Sequence, residues 1–169
     1  YYAETGDVPR AMAVAEYPLH PLAGLVSGVS QLIARALALV PPDSPTAGRL
    51  LARQGLVLGT EEGAYQGAQE AFDRALVIAH READLALEMR TLAGAAEVNY
   101  FHLRFQEALE GSLRVIEQAR RADDPRTEAI TRQWATAILS QMGDSEEARR
   151  HAAAFLAVAE RLRDRFWLS

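Results

Sequence analysis

Hydrophobic positions fall at helical steps along nearly the whole chain, and the pattern repeats. In the stretches YQGAQEAFDRALVIAHREAD, FQEALEGSLRVIEQARRADD and SEEARRHAAAFLAVAERLRD, the matched apolar positions recur at steps of 3, 4, 7, 8 and 11. That spacing lines one face of a helix. The stretches stand 40 residues apart, as shown by Ala68, Ala108 and Ala148, by Leu76, Ile116 and Leu156, by Ala79, Ala119 and Ala159, and by Asp84, Asp124 and Asp164. A fixed period of this size marks stacked units, none of which buries its apolar face alone. Nothing alternates with a period of two for long enough to form a strand.

Proline, glycine and acidic residues punctuate the pattern into about eight helices. Asp7 to about Tyr17 reads as a short helix bounded by Pro18 and Pro21. Leu22 to Val40 reads as a longer one, stopped by Pro41 and Pro42. Proline cannot continue a helix and biases the residue before it away from helical angles. Ser44-Pro45 is an N-cap followed by proline at the first helical position, opening a helix to about Leu58 that Gly59 and Gly63 break. Helices then follow from Ala64 to about Arg81, from the cap Asp84 to about Phe101, from Arg104 to Ala122, and from the cap Asp124 to Met142, where Gly143 closes the last. Asp144 with Glu147 has the form of a capping box for a final helix to about Arg163. Connections of two to five residues force neighbouring helices to run antiparallel.

The segment GAYQGAQEAFDRAL, with Tyr65, Ala68, Phe72, Ala75 and Leu76, resembles the second helix of a tetratricopeptide repeat: small, aromatic, then small again. GDSEEA, from Gly143 to Ala148, matches that family's inter-helix turn, whereas LRFQEA departs from it. Ser112 and Ala152 stand where the family has its aromatic, and its first-helix signature of Trp, Leu, Gly and Tyr is weak. The period of 40 exceeds the family's usual value of about 34, which implies longer helices. From Thr46 to Ser169, segments such as HLRFQEAL and AERLRDRFWL look like the longer, degenerate repeats in sensor regions of large bacterial LuxR-type transcription regulators and related signalling ATPases. There an effector-binding array sits between an ATPase module and a DNA-binding helix-turn-helix, and this chain contains neither.

The resemblance implies an all-α fold, a right-handed superhelix of antiparallel helical hairpins. Its division would be 1–44 as irregular N-terminal helices continuing the array, 45–164 as three hairpins, and 165–169 as the cut-off start of a further repeat. The implied function is non-catalytic protein or ligand binding. The chain would be the sensor or interaction region of a larger bacterial regulator, or alternatively a free-standing adaptor docking a partner's peptide or C-terminus. In the family the concave groove is lined by fixed positions on each first helix. Carried over by register, these are Arg53, Gln54 and Val57, then Arg90, Glu97, Tyr100 and Phe101, then Gln133, Trp134, Ala137 and Gln141. Arginine can clamp a carboxylate or phosphate, and an aromatic ring can stack on a sugar or a peptide side chain. A protein, peptide or small-molecule effector is the expected occupant. The plain alternative is that Tyr100, Phe101 and Trp134 only pack between hairpins.

Composition narrows the chemistry. All 18 basic residues are arginine, so a lysine-bearing phosphate loop, a Schiff-base lysine and an SxxK nucleophile are excluded from this segment. Cysteine is absent, which removes thiol nucleophiles and Cys-ligated zinc and fits a reducing, cytoplasmic location. The net charge of −5 and pI near 5.4 argue against a nucleic-acid-binding surface. No apolar run reaches the roughly 18 residues of a membrane span, and YYAETGDVPR has no signal-peptide pattern. His20, His80, His102 and His151 form no i, i+4 pair, so a metal site would need assembly across helices. Glu61-Glu62 and Asp123-Asp124 lie at helix ends, where caps and the helix dipole account for them. Arg120-Arg121, Arg149-Arg150 and Arg161, Arg163 and Arg165 all have acidic neighbours, as on solvated faces with local ion pairs. No enzyme activity and no cofactor are expected. Phe166, Trp167 and Leu168 form an apolar end that predicts further repeats and self-association through it.

Overall fold

The computed structural model describes Tyr2, residues 5–15 and residues 28–162. Among the described residues there are eight α-helices and no strand: α1 (Val8–Ala15), α2 (Val29–Leu37), α3 (Pro45–Thr60), α4 (Tyr65–Glu82), α5 (Leu85–Phe101), α6 (Phe105–Arg121), α7 (Pro125–Met142) and α8 (Ser145–Leu162). The expectations placed on Pro18, Pro21, the start of the Leu22 helix, His20, Asp164 and the apolar end lie outside the described residues.

From α3 onward the helices begin at Pro45, Tyr65, Leu85, Phe105, Pro125 and Ser145, a step of 20 residues each time. The turns share that step. Ala83, Leu103, Asp123 and Gly143 take left-handed backbone, with φ of 52, 60, 51 and 83°. In each case the next amide reaches back five residues: Asp84 to the Ala79 carbonyl at 2.9 Å, Arg104 to Asn99 at 2.8 Å, Asp124 to Ala119 at 2.9 Å and Asp144 to Leu139 at 3.0 Å. This is the Schellman ending, which satisfies carbonyls that the last helical turn leaves open. LRFQEA therefore makes the same turn as GDSEEA, with Leu103 in the place of Gly143.

The caps read from sequence are present. Ser44 Oγ accepts from the Ala47 amide at 3.1 Å, Asp84 Oδ1 from the Leu87 amide at 2.9 Å and Asp124 Oδ1 from the Thr127 amide at 3.0 Å. The capping box at Asp144 forms by one half only. Asp144 Oδ1 accepts from the Glu147 amide at 3.1 Å, but the Asp144 amide is committed to Leu139 and the Glu147 carboxylate pairs with Arg150 at 2.8 Å. Gly59 does not break α3, which runs on to Thr60. The glycine is there for closeness: a Cβ on it would stand 2.5 Å from both methyls of Val98.

The chain forms two compact units, Tyr1–Val98 and Asn99–Ser169, and α5 crosses the division. In the first unit α1 packs on α2, α2 on α3 and α3 on α4. One buried cluster holds Ala47, Leu51, Ala75, Ile78 and Leu87 and another Ile33, Leu50 and Val57, with Leu37 and Val40 packed against both, while Phe72 packs with Ala68 and Val98. In the second unit α7 lies between α6 and α8. Ala108, Val115, Ala119, Ala135 and Ile138 are fully buried there. So much alanine lets helices approach closely, and dispersion contacts between many small side chains replace the large aromatics of other cores.

The 40-residue alignment can be followed by burial. Ala68, Ala108 and Ala148 are all buried, as are Ala79, Ala119 and Ala159. The third apolar line fails at its end, because Leu156 is 50% exposed while Ile116 is buried. Leu156 lies on α8, which packs on α7, and no described element beyond α8 covers it. No helix among the described residues is long and apolar enough to cross a membrane.

Candidate functional site

The residues expected to line a groove sit on the odd-numbered helices: Arg53 and Gln54 on α3, Arg90, Glu97, Tyr100 and Phe101 on α5, Gln133 and Trp134 on α7. The first four belong to the first unit and the last four to the second, and each set is described by itself.

In the second unit the aromatics gather. The Tyr100 ring centroid lies 5.4 Å from that of Trp134 and 5.5 Å from that of Phe101, and Phe101 lies 5.9 Å from Trp134. Interplanar angles of 58 to 78° make these tilted and edge-to-face pairs. Such geometry sets the positive ring edge against the negative face of the neighbour. Phe105, which sequence reasoning did not include, joins the cluster 5.8 Å from Tyr100. Its signal was available: it stands 40 residues after Tyr65, the aromatic that opens α4. The cluster is not sealed. Phe101 is 40% exposed, Tyr100, Phe105 and Trp134 are half-buried, and Gln133 beside Trp134 is exposed. Here α5 ends and α6 begins, so the turn through Leu103 is what folds Phe105 back toward Tyr100.

In the first unit Arg53 and Gln54 are half-buried and Arg90 is exposed. Glu97 is half-buried, and burial pushes its carboxyl up to about 7. Burial is the cause of that shift. Arg90 and Glu97 lie two turns apart on one helix, about 10 Å along its axis. Near neutral pH Glu97 is thus poised between acceptor-only carboxylate and hydrogen-bond donor.

A second feature was missed from sequence. Arg132 Nε donates to Glu128 Oε1 at 2.8 Å, and these side chains are only 14% and 10% exposed. The sequence shows the i, i+4 spacing but not the burial. The pair lines an open cleft of about 500 Å³ where the end of α6, the start of α7 and the end of α8 meet, together with Arg120, Asp123, Pro125 and Arg161. His151, on α8, is pushed below its ordinary value first by burial and then by the charge of Arg132. Arg121 pairs with Glu117 at 2.9 Å and Arg150 with Glu147 at 2.8 Å, local ion pairs on exposed faces.

Among the described residues no three His, Asp or Glu side chains are grouped so as to hold a metal ion. No family model matches the chain, and no curated protein matches it.

Proposed function

We propose that this chain is a non-catalytic binding module, built of tetratricopeptide-like hairpins with a 40-residue period and stacked as a right-handed superhelix. Its role would be that of the sensor or interaction region of a larger bacterial transcription regulator. The single observation that supports binding is the half-open aromatic cluster of Tyr100, Phe101, Phe105 and Trp134 with Gln133 exposed at its edge. Large rings left partly in water forgo burial that a purely structural cluster would take. Rigid aromatics beside an amide suit a sugar ring or an apolar peptide side chain, with the amide fixing orientation. The repeat reading is supported by helix starts at even steps and by the buried alanines at 68, 108 and 148.

The test is a thermal-shift screen of the wild-type chain with mono- and oligosaccharides, dicarboxylates, phosphate esters and short peptides with free C-termini. A compound that binds only the native state raises the melting temperature by mass action. The proposal expects at least one class to do so and expects Trp134→Ala to abolish the shift. A shift that survives Trp134→Ala would place binding elsewhere. Response to peptides alone would favour the adaptor reading over the small-molecule sensor.

A further inference from the structure

The buried ion pair of the second unit is only half used by the fold. Arg132 Nε donates to Glu128 Oε1 at 2.8 Å, and no other side-chain hydrogen bond joins either residue to a described residue. Glu128 keeps an acceptor in Oε2, and Arg132 keeps both Nη groups as donors. Both residues line the cleft, and the Glu128 side chain is only 10% exposed. Two charges taken out of water repay that cost only when their remaining donors and acceptors are bonded as well.

The repeat itself does not demand a charged pair at these positions. One period of 40 residues earlier they are Glu88 and Leu92, and two periods earlier Gly48 and Ala52. Gly48 and Ala52 are buried, and the side chains of Leu87 and Ile78 close over Gly48. The complete pair belongs to this cleft and not to the helical frame.

We propose that the cleft among α6, α7 and α8 is a binding site for a free α-amino acid with an apolar side chain. The ammonium group donates to Glu128 Oε2, and the carboxylate accepts from the Nη groups of Arg132. An α-amino acid carries its two charges on one carbon, just as the ion pair sets its two charges side by side, so opposite signs meet twice. The other charged walls keep the balance, with Arg120 and Arg161 against Asp123 and Asp124. Balanced walls suit a zwitterion better than a dianion such as a phosphate ester. The ligand's side chain lies along Ala119, Ala154, Ala157 and Val158, which are small and apolar. The cleft volume of about 500 Å³ falls within the roughly 300–1,000 Å³ of small-molecule sites. None of these residues belongs to the aromatic cluster, so this site stands or falls apart from that one.

The test titrates L-valine, L-leucine, L-methionine and L-phenylalanine into the full chain by calorimetry, each beside its N-acetyl and amide derivatives. At least one free amino acid should bind, and both of its derivatives should bind about tenfold more weakly or worse, since each lacks one of the two charges. Glu128→Gln should weaken the free amino acid by about the same factor. Ala154→Leu, on the apolar wall, should abolish binding with helix content by circular dichroism unchanged. Ala157→Leu, at a more exposed place on that wall, repeats the test should the first substitution disturb folding. Ala153→Leu, exposed and outside the cleft, should leave binding as it is. Failure of all four amino acids to bind at millimolar concentration would overturn the proposal. An N-acetyl derivative that binds as tightly would reveal an anion site, and an amide that does so a cation site. Either result overturns the proposal, as does binding that neither wall substitution weakens.

Discussion

Val98 closes over Gly59: both of its methyl carbons stand 2.5 Å, and its Cβ 3.0 Å, from where a β-carbon on Gly59 would lie. A β-branched side chain in a helix has one strongly preferred rotamer, so Val98 cannot swing away. Gly59→Ala should therefore destabilise the protein. Alanine gains about 1 kcal/mol of helix propensity over glycine, and overpacking costs about 1–3 kcal/mol. The expected net loss in urea denaturation is on the order of 1 kcal/mol. A gain in stability would show that α3 and α5 do not meet so closely.

Leu103 is the converse case, a side chain where glycine fits better. Its φ is 60° and it is 74% exposed, so little packing is lost by removing it. Left-handed backbone costs an L-residue about 1–2 kcal/mol, against the roughly 0.4–1 kcal/mol by which glycine loosens the unfolded chain. Leu103→Gly should raise stability by about 0.5–1 kcal/mol, read as a higher urea midpoint with unchanged slope.

Much of the helical frame is legible in the sequence, and the particular misses share a cause. Ser44, Asp84 and Asp124 could be read as caps because a short polar side chain before a helix has one main use. The turns at Ala83, Leu103 and Asp123 could not, because their left-handed backbone is held by amide-to-carbonyl bonds and not by residue type. Gly59 reads as a stop until Val98, far along the chain, is seen upon it. Burial of Glu128 and Arg132 likewise depends on neighbouring helices, not on their spacing. At the candidate site Tyr100 and Trp134 lie at groove positions of the register and their rings are 5.4 Å apart, while Phe105 opens an even-numbered helix, where the register has no groove position.

Ala108 is fully hidden from water, at 0% exposure inside the second unit. Ala108→Leu adds three carbons at a place with no room and should cost about 1–3 kcal/mol by overpacking. Ala153→Leu, at an exposed position of α8, is the control and should stay within about 0.5 kcal/mol of wild type.

Glu97 predicts a pH dependence. Its carboxyl is raised from 4.5 to about 7 by burial, so the native state holds a proton that the unfolded state has lost between those values. The contribution is fully present below 4.5 and is lost as pH rises through about 7. Glu97→Gln mimics the protonated form, so relative to wild type it should be near neutral at low pH and stabilising above pH 7, by on the order of 1–3 kcal/mol. Urea melts of both proteins across this range measure the difference directly. A difference that does not change with pH would show that Glu97 is solvated.

Binding at the aromatic cluster is tested most directly by titrating the compound with the largest thermal shift into wild-type, Trp134→Phe and Trp134→Ala proteins by calorimetry. Stacking on one aromatic ring is worth about 0.5–1.5 kcal/mol beyond the apolar area it buries, so losing the whole ring amounts to about a tenfold change in Kd or more. The account predicts that Trp134→Ala weakens binding about tenfold or more while Trp134→Phe retains most of it. Equal affinity for wild-type and Trp134→Ala proteins, both folded, would contradict it.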